Sequence, residues 1–128
     1  MKDVIHEQIE SNGLVLLTIA GDVREDDLAE LKSRLSDISG LVADEYRKHD
    51  AKVNILIDIT DFAGEYHEDA LRLMTNFAKQ NRLFVGKTAS FGGTDKARLA
   101  GEVVAGMAER DNIREFDTRK EAEAWLAQ

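Results

Sequence analysis

The chain contains neither cysteine nor proline in its 128 residues. Without thiols it can form no disulfide framework, no thiolate zinc site and no sulfur nucleophile, a composition that suits a reducing compartment. Without proline, a low-complexity tract or a fixed-period repeat, nothing marks a linker. Residues 1–128 therefore read as one domain, long enough to bury a single core without staples. Long apolar runs are also missing. The longest is Leu14 to Leu17, far short of a membrane span, and the opening MKDVIHEQIE lacks the apolar centre of a signal peptide. A cytoplasmic protein without stable membrane insertion is expected. Basic residues are the minority, 17 against 25 acidic ones for a net charge of −8, and are scattered singly or in pairs such as Arg47-Lys48. That balance repels a phosphate backbone and argues against nucleic acid as a partner. Solubility accounts for the charge.

What is present is organised around Val53 to Met74. Val53, Ile55, Leu56, Ile57 and Ile59 crowd into seven positions, the pattern of a central strand buried on both faces. This strand runs through an acidic loop, Asp58 to Glu65, into an amphipathic helix from Tyr66 to about Arg82, with Ala70, Leu71, Met74, Phe77 and Ala78 on its core side. Upstream, Val4 to Glu10 and Leu14 to Ala20 read as a hairpin turned by Ser11-Asn12-Gly13, the first arm an edge and the second, apolar on both faces, further inside the sheet. From about Glu25 to His49 the spacing of Leu28, Leu31, Leu35, Ile38, Val42 and Tyr46 predicts a long helix docked on the sheet. Gly40 in its interior costs about 1 kcal/mol relative to Ala and marks a potential break. Downstream, Lys87 to Gly93 reads as a strand, and Thr94 N-caps a helix whose buried stripe is Leu99, Ala100, Val103, Val104 and Met107. Ile113 to Phe116 reads as a further strand, and Thr118 and Glu121 as a capping box opening a last helix that buries Ala122, Trp125 and Leu126. The order ββαβαβαβα predicts an α/β fold whose sheet is parallel after its first hairpin.

Few of these residues carry a chemical signature. Gly86-Lys87-Thr88 resembles the end of a phosphate-binding loop, but that loop needs glycine where Asn81 stands, and a helix where a strand follows. Gly92-Gly93-Thr94 between a strand and a helix offers backbone N–H groups to an anion, although Asp95 beside it repels phosphate. Asp58, Asp61, Glu65, Glu68 and Asp69 cluster with His67 where the central strand meets its helix, a set of oxygen ligands and an acid–base pair. Acidic side chains at a helix start are better explained by its dipole and by solvation. No EF-hand spacing, zinc-protease motif or nucleophile elbow is present, so no catalytic residue, metal or cofactor is expected.

GDVREDDLAEL after the second strand, IDITDFAGEYHEDAL in the middle and REFDTRKEAEAWL at the end resemble the SpoIIAA-like proteins of the STAS group, over essentially the whole chain. The group is also described as STAS/SEC14-like, because its fold is similar to the CRAL-TRIO lipid-binding domain. The resemblance implies a mixed sheet with helices packed mainly on one face. In anti-sigma-factor antagonists of that family, a serine at the start of the second helix is phosphorylated and switches partner binding. Placing Asp58 on the aspartate that ends the family's central strand brings His67 and Glu68 onto the serine motif. No Ser or Thr lies between Thr60 and Thr75, so the switch is absent there. The resemblance thus implies a non-enzymatic regulatory or protein-interaction module with an unknown protein partner or a second copy in a homodimer. Its surface would comprise Asp58, Asp61, Glu65, Tyr66, His67, Glu68, Gly92, Gly93 and Thr94. The alternative is a carrier or sensor of a small apolar or anionic, lipid-like ligand held between helices and sheet.

Overall fold

The computed structural model describes residues 5–10 and 12–128, so Val4 and Ser11 of the predicted hairpin lie outside the described residues. Strands β1 (Ile5–Ile9) and β2 (Val15–Ile19) pair antiparallel; of Asn12 and Gly13 only Gly13 has a positive φ, +82°, while Glu10 N–H donates to Leu14 O at 2.8 Å to close the turn. A short strand β3 (Gly21–Val23) and a single 3-10 turn lead into helix α1 (Leu28–His49). The helix is unbroken at Gly40, which meets nothing nearby. Then come β4 (Val53–Asp58), β5 (Phe62–Tyr66), α2 (Glu68–Gln80), β6 (Val85–Phe91), α3 (Asp95–Met107), β7 (Ile113–Phe116) and α4 (Arg119–Leu126). The main sheet has the order β1-β2-β4-β6-β7, parallel from β2 onward, with β4 at its centre. This is the mixed α/β sheet expected from the sequence.

The double apolar character of β2 and β4 is explained by two cores. Val15, Leu17, Ile19, Val53 and Ile55 face α1, α2 and α3, whereas Leu14, Leu16, Leu56 and Ala89 face α4. Three helices thus cover one face and one short helix covers the other. α4 is tied down by Asn54 Nδ2 donating to Leu126 O at 3.2 Å and by Lys87 Nζ donating to Trp125 O at 3.0 Å, a cation at a helix C-terminus. Trp125 differs from expectation in being only half-buried. Its ring packs on Phe116 at 5.7 Å under the cations of Lys87, at 5.2 Å, and Arg114, at 5.7 Å. At its start, Thr118 Oγ1 accepts from Glu121 N–H at 3.2 Å as predicted, but the returning contact runs from the hydroxyl to the Glu121 carboxylate, at 3.0 Å.

Two expectations are corrected. The acidic loop and the first turn of the predicted helix are partly a strand. β5 pairs parallel with β3 as a separate two-stranded sheet, Phe62 and Tyr66 stack at 4.9 Å on its inner side, and α2 begins only at Glu68. Pairing between segments about forty residues apart leaves no local period to read. Second, α3 packs only part of its predicted stripe, Ala100 and Val104, and adds Ala97. Ala97 is buried and Ala100 and Val104 pack on the core, whereas Leu99, Val103 and Met107, predicted as buried, are 58%, 40% and 48% exposed. Apolar residues occupy two faces of this helix, so a period alone cannot choose between them.

Candidate functional site

The predicted surface does come together at the carboxyl ends of the central strands. Asp58 ends β4, and its Oδ1 accepts from Thr60 N–H at 2.9 Å. Gly92, at φ +77°, lies so close to Thr60 that a Cβ would overlap the threonine side chain, and Gly93, also at +77°, sits against Ile59. Glu65 on β5 is ion-paired with Lys96 on α3. Asp61 is exposed, and its carbonyl accepts from Gly21 N–H at 2.8 Å. Most charges here are answered locally, which weakens the case for an anion or cation site. Glu68 and Asp69 pair with Arg72 at 3.6 and 3.1 Å. His67 is the N-cap of α2, its Nδ1 accepting from Asp69 N–H at 3.2 Å, and Thr94 caps α3 by accepting from Ala97 N–H at 3.2 Å. Gly92 N–H already donates to Phe116 O, at 3.3 Å. Among the described residues no group of three acidic or imidazole side chains is placed to hold a metal ion.

Tyr66 departs from that surface. It lines, with Phe62, one end of an internal cavity of about 90 Å³ between the main sheet, α2 and α3. The cavity exists because α3 leans on β5 and α2 rather than on β6 and β7, and presents only small side chains inward. Its walls are Leu17, Ile55, Ile57, Met74, Phe77 and Val104, and its floor on β6 is Thr88 and Ser90. It reaches the surface beside Gly101 and Glu115, where α3 passes the edge strand β7. Burial raises the pKa of the Tyr66 phenol, which stays protonated, and burial followed by the nearby Glu102 raises that of Glu115 against the opposing pull of Arg98.

The other charged group in this lining is Arg110, at the end where α2 and α3 finish. It follows a helix terminus in which Glu109, at φ +57°, takes the left-handed position. Arg110 N–H donates to Ala105 O at 3.0 Å, and Glu109 N–H to Gly106 O at 3.1 Å. That turn folds the arginine back beneath the helix. Arg110 Nε donates to Asn112 Oδ1 at 2.8 Å, while Nη1 and Nη2 reach only Ala78 O at 3.5 Å and Thr88 Oγ1 at 3.4 Å. Sequence reasoning missed Arg110, because a lone arginine after a helix reads as an ordinary charge at the helix C-terminus.

A larger, open groove of about 720 Å³ lies at the opposite end of the strands, beside Glu45, His49 and Arg119. Arg119 there is paired with Glu10 at 2.7 Å and with Glu123 at 2.6 Å, and His49 Nε2 lies 2.9 Å from Glu45 Oε2. The smaller cavity beneath α3 differs from this groove in its lining, which is mostly apolar.

Comparison with known proteins bears on the whole architecture. The model of the SpoIIAA-like family matches residues 14–127. The chain belongs to the SpoIIAA-like family. The SpoIIAA-like domain is similar in fold to an uncharacterised protein of the DUF3478 family from Shewanella loihica PV-4, described as having a SpoIIAA-like fold. The two align with a TM-score of 0.67 and 16% identity over 95% of this chain and 93% of that one. It is also similar to the protein TM1081, solved by NMR, with a TM-score of 0.58 and 17% identity over 95% of this chain and 87% of the other. No curated protein matches it in sequence. Membership supports a regulatory or interaction module in general terms, and no helix of the described residues is long and apolar enough to cross a membrane.

Proposed function

We propose that this SpoIIAA-like domain is a non-enzymatic binding module that carries or senses a small, mostly apolar ligand in the cavity beneath α3. One observation carries the reading: the space between α3 and the sheet is walled by apolar side chains and opens to solvent beside Gly101. A packed core leaves few voids larger than a water molecule, and a cavity with this lining favours an apolar occupant over water. The absence of Ser and Thr between residues 60 and 75 speaks against a phosphorylation switch at the start of α2, where His67 serves as a cap instead.

A second reading, a protein-interaction module, is favoured by the exposed Leu99, Val103 and Met107 on the outer side of α3, next to the Glu65–Lys96 pair. The cavity is the test case. Native mass spectrometry of protein purified without denaturation should show a low-mass apolar adduct, or xenon added to the purified protein should shift resonances of residues lining the cavity. Ser90→Leu, which fills the floor, should lose both while keeping the wild-type circular dichroism spectrum. A wild-type protein that neither carries an adduct nor takes up xenon would sink the carrier reading in favour of the interaction module.

A further inference from the structure

We propose that the outer face of α3 docks a basic amphipathic helix of a partner protein, with Leu99, Val103 and Met107 as the apolar contact and Asp95, Glu102 and Glu115 as the seat of the partner's lysine or arginine side chains. The inference rests on the interaction reading above, is independent of the cavity, and adds the chemistry of the partner.

Three observations point to it. First, the apolar residues of this face are gathered rather than scattered. Three of the five large apolar side chains exposed among the described residues recur every fourth position along α3, so they form one stripe down the helix. The close approach of Gly64 to Ala97 explains why small residues turn inward, but it leaves the outer positions free to be polar. Leucine, valine and methionine there are what a contact surface requires. Gly106, beside Val103, has nothing within 4 Å of the place its Cβ would take, which lets a second helix come close.

Second, the free charge beside the stripe has one sign. Asp95 and Glu102 lie seven residues apart, two helical turns, and so share the side of α3 that faces Glu115 on β7. Neither Asp95 nor Glu102 is ion-paired among the described residues. The cation near them, Arg98, is already bound to Asp117 at 2.6 Å and to Gly92 O at 3.3 Å. Glu102 adds to burial in holding the Glu115 carboxyl above its usual value, against the pull of Arg98. A cation brought by a partner relieves that repulsion. Third, the other border of the stripe is closed, because Lys96 is paired with Glu65. The surface thus fits an apolar stripe flanked by positive charge along the roughly 20 Å of a 13-residue helix.

A second copy of the chain fits this charge poorly. It brings another acidic flank from a molecule of net charge −8. Nucleic acid and anionic lipid are repelled for the same reason.

The test is fluorescence polarisation of the intact protein with labelled synthetic peptides of about 18 residues, long enough to cover α3 as a helix. The first carries leucine at helical spacing flanked by lysine. A second replaces each lysine by glutamate, and a third keeps the lysine and leucine content in an order with no apolar stripe. The wild type should bind the first at least about tenfold more tightly than the other two. L99Q/V103Q should weaken that binding by about tenfold or more, and E102K should do the same while improving binding of the glutamate peptide. D37K, an exposed acid on α1, should leave binding within about twofold. Equal binding of the stripe-free lysine peptide, or a loss in D37K as large as in E102K, overturns the proposal as non-specific charge attraction. A glutamate peptide that binds the wild type as tightly as the lysine one and is lost in L99Q/V103Q overturns the charge assignment and preserves the contact surface. Binding of no peptide by a monomeric protein overturns both. A dimer in analytical ultracentrifugation that L99Q/V103Q dissolves overturns the partner helix in favour of a second copy. Should L99Q/V103Q lose the wild-type circular dichroism spectrum, E102K with the lysine and glutamate peptides decides alone. Xenon uptake by the cavity should be unchanged in E102K, so the two readings fail separately.

Discussion

At the scale of single residues the molecule separates charges that pair with one another from charges that line its cavity. Glu65, Glu68 and Asp69, prominent in the sequence as an acidic cluster, are paired with Lys96 and Arg72. Glu115 and Arg110, inconspicuous in the sequence, line the cavity, where Arg110 is hydrogen-bonded to neutral oxygens of Asn112, Ala78 and Thr88. Glu115 carries a pH signature. Burial first, and Glu102 second, hold its carboxyl above the ordinary 4.5. The folded protein then binds this proton more readily than the unfolded chain does, so ionisation lowers stability. The penalty is absent below the unfolded value and reaches full size once pH has risen through the folded one. Glu115→Gln should accordingly raise the Tm at neutral pH, and the gain should vanish below about pH 4. Thermal unfolding followed at both pH values checks this, and a gain that persists in acid would contradict it. None of this was legible in the sequence, because a glutamate in a β-strand looks the same whether it faces solvent or a cavity.

At the scale of elements, caps and periods were readable and the rotation of a helix was not. Thr94 and Thr118 accept the backbone bonds expected of N-caps, and the stripe of α1 from Leu31 to Val42 is buried as its spacing requires. In α3 two apolar stripes compete. The sheet and α2 select the one with the smaller residues, Ala97, Ala100 and Val104, because the β5 backbone at Gly64 presses directly on Lys96 and Ala97, where a single added Cβ would come within 2.8 Å of Ala97 N. Urea unfolding of two variants tests the assignment. Leu99→Gln should change stability by less than about 0.5 kcal/mol, whereas Val104→Gln should cost at least about 1 kcal/mol. The reverse order would mean that α3 turns its other side inward in solution.

At the scale of the whole molecule, the sheet is a partition between two cores of unequal size, and α4 alone closes the smaller one. Leu56 and Ala89 are fully buried there together with Ala122. Removing residues 118–128 would expose these residues with Leu14, Leu16 and Phe91 as one apolar sheet face. The shortened chain should associate in size-exclusion chromatography and lose its cooperative urea transition; a monomer with an unchanged midpoint would show that α4 is peripheral. The double apolar pattern of β2 and β4 is thus answered within a single chain.

The sequence by itself determined what depends on neighbours along the chain. It specified the alternation of strands and helices, the caps, the turn glycine, the central place of β4 and the family resemblance, because propensity, period and hydrogen-bonding chemistry act over a few residues. Only the tertiary structure decided what depends on neighbours in space. The pairing of β3 with β5, the side of α3 that turns inward, the space left beneath it and the place of Arg110 at its end all arise where segments far apart in the chain meet. Packing there is set by the shapes of both partners, and one stretch of sequence contains only one of them.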